Sequence, residues 1–215
     1  PGAHIPNNVV GYNVQLNPDG FGLAWRDPER GLVYERFGPD GLQRFTALLK
    51  RIDQSQMEYA AHFRKATHGN ACLELAHPFE YKDLGGNDIL AFHNGIINIK
   101  VAVGESDTSV FVNSVLAGLD HRWWNNSAMR YLVEDSIGWS RMLLMTETES
   151  VYVNLDDWTM DNGIMYSCAP LPKFTPATPA TLAVGPWTKQ SDGSWKAPDK
   201  VLAPYGGYMD GSVEY

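Results

Sequence analysis

The segment AHFRKATHGNACLELAHPF, residues 61–79, places His62, Arg64, Thr67, His68, Gly69, Cys72 and His77 within nineteen positions. Three chemistries compete for it: a metal site, a core strand, and a pocket for a charged small molecule. Metal coordination needs ligands that converge, typically two histidines one helical turn apart or a Cys-x-x-Cys pair. Here His62 and His68 are six residues apart and His77 lies nine further on. No metal is therefore expected at His62, His68 or His77, and no cofactor is implied. On a strand, Ala61, Phe63 and Lys65 share one face, and His62, Arg64 and Ala66 the other. An arginine on an inward face is strongly unfavourable unless an anion pairs with it. Arg64 thus either faces solvent or waits for a carboxylate. The following Thr67-His68-Gly69 turn offers a hydroxyl and backbone N–H groups, and its glycine admits close approach of a ligand.

Three other short stretches combine polar groups with turn residues. In FHNGII, His93-Asn94-Gly95 interrupts an apolar strand, so that an amide donor precedes a glycine N–H; the same residues also read as a plain Asn-Gly hairpin turn. Ser106-Asp107-Thr108 stands at a helix start, where simple N-capping accounts for it. NPDGFG, residues 17–22, reads as a turn leading into a strand. Each piece alone is explained by local structure.

The elements that must hold these groups follow from periodicity. FGLAW and LVYERF flank Asp27-Pro28-Glu29-Arg30-Gly31 as a β-hairpin. Residues 38–52 put Leu42, Phe45, Leu49 and Ile52 on one helical face behind Pro39-Asp40. EYAAHFRKA and DILAFHNGIINIKV are β-like, whereas Val112, Val115, Leu116 and Leu119 have helical spacing behind a Ser106 or Asp107 cap. A second helix is expected over about 127–137, then strands around a polar turn at Glu147 to Ser150, and one more in GIMYSC. Strands, helix, strands, two helices and strands, in that order, indicate an α+β layered domain.

Size and charge narrow the function. The chain has 215 residues, 44% of them hydrophobic, and a net charge of −8. That suffices for one sizeable core. Without a Lys/Arg cluster there is nothing to neutralise a phosphate backbone, so nucleic acid is not an expected partner. No apolar run reaches about 18 residues, and the start PGAHIPNN has no leader-like character, so no membrane partner is expected. Cys72 and Cys168 make no disulfide framework. Cytoplasmic location is the default, or virion association if the chain is phage-encoded. Near Pro170 the composition turns rich in Pro, Ala, Thr and Gly, and residues 170–215 read as an extended tail. Its Trp187, Trp195, Tyr205, Tyr208 and Tyr215 are interface-type aromatics, which suggests docking on its own domain or on a protein partner.

Taken together, NPDGFG, HFRKATHG followed by HPF, FHNGII, SDT at a helix start and DNGIMYS resemble the class II glutamine amidotransferase domain, in its compact phage and bacterial form. The resemblance covers about residues 5–167. It implies the N-terminal nucleophile (Ntn) hydrolase fold, a four-layer αββα sandwich, over residues 1–169. It also implies a site: Arg64 and Thr67, with His68 beside them, holding the α-carboxylate of glutamine or a similar small amide; the Asn94 side chain and Gly95 N–H as the oxyanion hole; and Asp107 receiving the α-ammonium group. The implied reaction is hydrolysis of the glutamine side-chain amide to glutamate and ammonia through an acyl-enzyme. The alternative is an inactive binding or structural protein of the same fold, such as a phage component.

The resemblance departs at the beginning. Family members start Met-Cys and use the exposed cysteine as nucleophile, whereas this sequence begins Pro1-Gly2. Neither Cys72 nor Cys168 has the context to replace it, so no nucleophile is named. The expectation is an upstream strand carrying the cysteine, and with it an unpaired edge or gap in the central sheet beside Asn94 and Gly95. Proteolytic maturation and a Met-Pro start are the alternatives; a proline amine suits aldehydes and ketones rather than amides.

Overall fold

The computed structural model describes residues 4–55, 57–67, 71–168, 188–189 and 195–196. Alternation along two antiparallel sheets builds its layers. In the first sheet β1 (Phe21–Asp27) lies between β2 (Gly31–Phe37) and β3 (Tyr59–Phe63). Phe21, Leu23 and Trp25 of β1 point to one face, together with Phe37 of β2 and Tyr59, Ala61 and Phe63 of β3. That face is covered by α1 (Asn7–Leu16), through Val10 and Val14, and by α2 (Leu42–Ser55), through Phe45, Leu48, Leu49 and Ile52. Phe45 is the hub: it stacks on Phe21 and meets Phe37 and Phe63 edge-on, at centroid distances of 5.1 to 5.8 Å.

The second sheet runs β4 (Phe79–Lys82), β5 (Asp88–Asn94), β6 (Arg141–Met145) and β7 (Ser150–Val153), all antiparallel. Ile89 and Ala91 of β5, with Phe79, Tyr81, Met142, Leu144, Val151 and Val153, pack against Phe111 and Val112 of α3 (Asp107–Ser114) and Val133 and Ile137 of α4 (Ser127–Ile137). The opposite parity, Leu90 and Phe92 of β5 with Leu143 and Met145 of β6, meets Ala24, Ala60, Leu32 and Tyr34 from the first sheet. Helices, sheet, sheet, helices is the four-layer αββα arrangement that the resemblance implies. The side chains between the sheets form a single seam. A small ribbon, β8 (Thr159–Asp161) and β9 (Ile164–Tyr166), follows the second sheet.

Some elements differ from the sequence reading. The α3 helix ends at Ser114 and passes into a 3-10 turn at Leu116–Gly118, so Val115, Leu116 and Leu119 do not lie on a continuous α-helix. Strand β4 is not among the elements expected from the sequence; the cis His77-Pro78 bond precedes it. The chain divides into two units, Pro1–Pro170 and Leu171–Tyr215. In the second, β10 (Thr188–Lys189) pairs antiparallel with β11 (Trp195–Lys196); the extended character and docking of residues 170–215 otherwise lie outside the described residues. No helix is long and apolar enough to cross a membrane among the described residues.

Gly22 shows how tightly the seam closes. A Cβ there would stand 2.7 Å from the His77 carbonyl carbon and closer still to its oxygen. Backbone cannot yield as a flexible side chain can, so Gly22→Ala is expected to lower the unfolding free energy by about 3 kcal/mol. At Gly11 in α1 an added Cβ would meet nothing within 4 Å, and Gly11→Ala should raise stability by about 0.5 to 1 kcal/mol through helix propensity. Denaturant unfolding of the two variants checks the opposite signs.

Candidate active site

At one end of the seam four segments meet. The Pro-Asp-Gly turn before β1 holds the exit of β3: Arg64 N–H donates to the Gly20 carbonyl (2.9 Å), Asp19 N–H donates to the Arg64 carbonyl (3.0 Å), and Ala66 N–H donates to Asp19 Oδ2 (2.8 Å). Arg64 lies one residue beyond the end of β3 rather than within a strand, and it is only 4% exposed, which removes the solvent-facing alternative. Its burial disfavours the charged guanidinium, while the Cys72 sulfur and the Asp19 and Asp107 carboxylates favour it. The carboxylates that favour this buried cation come from the turn before β1 and from the first turn of α3. Thr67 is exposed beside it, and His68 lies outside the described residues.

Asn94 is the last residue of β5 and shares the parity of Leu90 and Phe92, which directs it to the seam. Its Nδ2 donates to Ser167 Oγ (2.9 Å), a partner that arrives from just beyond β9. Gly95 has φ of 138°, and a Cβ there would lie 2.7 Å from Ser140 Cβ. The chain then leaves the sheet, and residues 95–106 form no strand or helix. Asn94-Gly95 is therefore not a hairpin turn. On the β4 side the ladder stops at Ala91, so among the described residues no strand pairs with Phe92, His93 or Asn94 there; the His93 carbonyl instead accepts from His62 Nε2 (3.1 Å) across the seam.

Asp107 opens α3. The capping is done by Ser106, whose Oγ accepts from Ser109 N–H (3.1 Å) while Ser109 Oγ accepts from Ser106 N–H (3.2 Å). This reciprocal box leaves the Asp107 side chain for other duties. Its Oδ2 accepts from Ile97 N–H and its Oδ1 from Thr108 N–H, both at 2.8 Å, and the residue is 5% exposed. A carboxylate on the first turn of a helix is further favoured by the aligned peptide dipoles.

Near these groups sit two buried histidines, His77 and His93, and the half-buried His62. The His62 and His77 rings are 4.1 Å apart, and His93 Nδ1 is 2.8 Å from Thr108 Oγ1. Four ring nitrogens, His62 Nδ1, both of His77 and His93 Nε2, have no hydrogen-bond partner among the described residues. Burial holds His62 and His93 down at about 4 and pushes His77 well below its ordinary value. These rings are neutral at pH 7. Among the described residues no group of three or more His, Cys, Asp or Glu side chains could hold a metal ion.

Sequence patterns point to Arg64, Asn94 and Asp107 but not to Asp19, Thr108 or Ser167, which complete their surroundings. Asp19 has a faint signal in its Pro-Asp-Gly turn. Ser167 closes the DNGIMYS stretch, but only the fold brings it across 73 positions to Asn94.

The chain belongs to the class-II glutamine amidotransferases, whose family model matches residues 9–135. Among solved structures, the glutamine phosphoribosylpyrophosphate amidotransferase from B. subtilis, complexed with ADP and GMP, is 16% identical over 70% of this chain and 35% of its own, with a TM-score of 0.39. A structure described as the allosteric regulatory enzyme of purine biosynthesis is 17% identical over the same shares, also at a TM-score of 0.39. The chain thus spans about a third of the length of each. No curated protein sequence matches.

The histidines carry a pH dependence whose sign follows from their burial. An unfolded imidazole titrates near about 6.5, whereas His62 and His93 in the folded chain hold out to about 4. Below pH 6.5 the unfolded state takes up protons that the folded state refuses. Stability present above that pH is lost as the pH falls toward 4, by up to about 1.4 kcal/mol per pH unit for each histidine. Urea unfolding at about pH 7.5, 6 and 5 should give steadily decreasing free energies; a flat profile would contradict neutral burial.

Proposed function

We propose that this domain binds free glutamine at the open end of the seam and hydrolyses its side-chain amide through an acyl-enzyme, releasing glutamate and ammonia. The observation that carries the reading is the burial of both Arg64 and Asp107, with the Asp107 carboxylate among the charges that favour the guanidinium and bonded to the Ile97 N–H just past the Asn94-Gly95 turn. A buried cation and a buried anion match the carboxylate and ammonium of a free amino acid. A planar guanidinium takes the α-carboxylate through two parallel hydrogen bonds, and Thr67, with His68, adds donors at its edge. Asp107, held by backbone N–H groups, receives the α-ammonium.

With the amino-acid head gripped, the side-chain amide extends toward the end of β5. There the second N–H of Asn94 Nδ2 and the Gly95 N–H stabilise the negative charge that develops on the amide oxygen as it is attacked. Ser167 takes one N–H of the amide and thereby fixes the plane in which the other points. Such donors matter in the transition state more than in the ground state. The reading assigns no nucleophile within the chain. It places the domain with the compact phage and bacterial form of the family, in the cytoplasm or on the virion, with glutamine rather than nucleic acid or a membrane as its partner.

Calorimetry with L-glutamine tests the binding step. Arg64→Ala and Asp107→Asn should each weaken binding by about a hundredfold, the size expected when one partner of a buried charge pair is lost. Asn94→Ala should leave the dissociation constant within about threefold while cutting ammonia release, followed in a coupled assay, by about a hundredfold or more. Glutamine bound equally well by wild type and by a folded Arg64→Ala protein would sink the assignment.

A further inference from the structure

Two consecutive residues in the first turn of α3 grip the Asn94-Gly95 turn from both sides. Thr108 Oγ1 is 2.8 Å from Nδ1 of His93, the residue before Asn94, and Asp107 Oδ2 accepts from the N–H of Ile97, two residues after Gly95. Thr108, His93 and Asp107 are 2%, 5% and 5% exposed, so water does not substitute for these bonds. Thr108 Oγ1 also reaches Asp107 Oδ1 at 3.4 Å. We propose that Thr108 and His93 are positioning residues that join the Asp107 carboxylate to the Asn94-Gly95 turn, so that the ammonium receptor and the oxyanion donors move as one unit. This rests on the glutamine reading above and adds to it a reason why the α-ammonium is required of the substrate.

The proton count shows how the coupling works. A threonine hydroxyl has one proton. Given to Asp107, it obliges His93 to present Nδ1–H to the hydroxyl oxygen; given to His93 Nδ1, it obliges the ring proton to reside on Nε2. The direction of the hydroxyl and the tautomer of the ring are therefore set together with the charge on Asp107. Strand parity explains why His93 has this task. Leu90, Phe92 and Asn94 face the seam, whereas Ile89, Ala91 and His93 face α3, so neighbouring residues of β5 act on opposite faces of one sheet. A cation drawn to Asp107 engages the same oxygens that hold Thr108 and Ile97. Any shift reaches Asn94 and Gly95 from both ends of their turn.

The test uses the full chain with Thr108→Val, which keeps the shape and removes the hydroxyl, and Thr108→Ser, which keeps the hydroxyl. Two readouts are taken: the nitrogen NMR signals of the His93 ring without ligand, and calorimetric affinities for L-glutamine and for glutaramate, the same amide acid without its α-ammonium. The expected result is a changed His93 tautomer in Thr108→Val and a loss of about tenfold in the preference for glutamine over glutaramate, with glutaramate affinity unaltered. Thr108→Ser should keep both the tautomer and the preference. Wild-type ring signals and preference in Thr108→Val would overturn the coupling while leaving the glutamine reading intact. Loss of preference in Thr108→Ser would overturn it as well, even if the valine variant did not fold. A wild-type protein that binds the two probes equally would instead remove Asp107 as the ammonium receptor, and the coupling with it.

Discussion

Strand β5 is buried on both faces, and its two parities are committed to different partners. Ile89 and Ala91 belong to the helical layer of α3 and α4; Leu90 and Phe92 belong to the seam with the first sheet. A strand in this position has no freedom of register, since a slip of one residue would exchange the two sets. When the apolar run ends, the alternation continues into polar residues. His93 goes to the helices and Asn94 to the seam because the backbone has left them no alternative. The orientation of the Asn94 amide is thus inherited from the packing of four residues that have no part in chemistry.

The same economy governs the charges. Arg64 enters the seam end just past β3, where water is scarce and an isolated guanidinium is costly. Compensation comes in part from Asp19, which also accepts from the Ala66 amide, and from Asp107, which also accepts from the Ile97 and Thr108 amides. Carboxylates anchored by backbone donors keep their places whether or not a further anion reaches the arginine.

Much of this is legible in the sequence, and what is not has physical reasons. Period-2 and period-3.6 patterns locate strands of both sheets and the helices α2, α3 and α4, because each buries a stripe of apolar residues. The inward face shared by His62 and Arg64 is visible in the same way. Strand β4 escapes notice because four residues behind a proline give too short a pattern. The Asn-Gly pair is ambiguous, since a positive φ serves equally to reverse a chain and to release it from a sheet; only Ser140, packed where a Gly95 side chain would stand, distinguishes the two. Thr108 and Ser167 cannot be found from spacing, because their partners are defined by the stacking of sheets and not by distance along the chain.

At the far end of the seam Arg26, the last inward residue of β1, donates to the Thr146 carbonyl (2.9 Å) and to Ser150 Oγ (3.1 Å), pairs with Glu58, and is closed into a ring by Ser150 Oγ donating to Glu58 Oε1 (2.7 Å). It thereby rivets the first sheet to the β6–β7 turn. Gly20 and Arg64 lie six residues away along β1, about 20 Å at the rise of a strand. Beside the candidate site the plates are fastened a second time, by His62 Nε2 donating to the His93 carbonyl (3.1 Å). A sandwich riveted near both ends resists sliding of one sheet along the other, so the spacing between Arg64 and Asn94 is set by bonds and packing at either end of the strands.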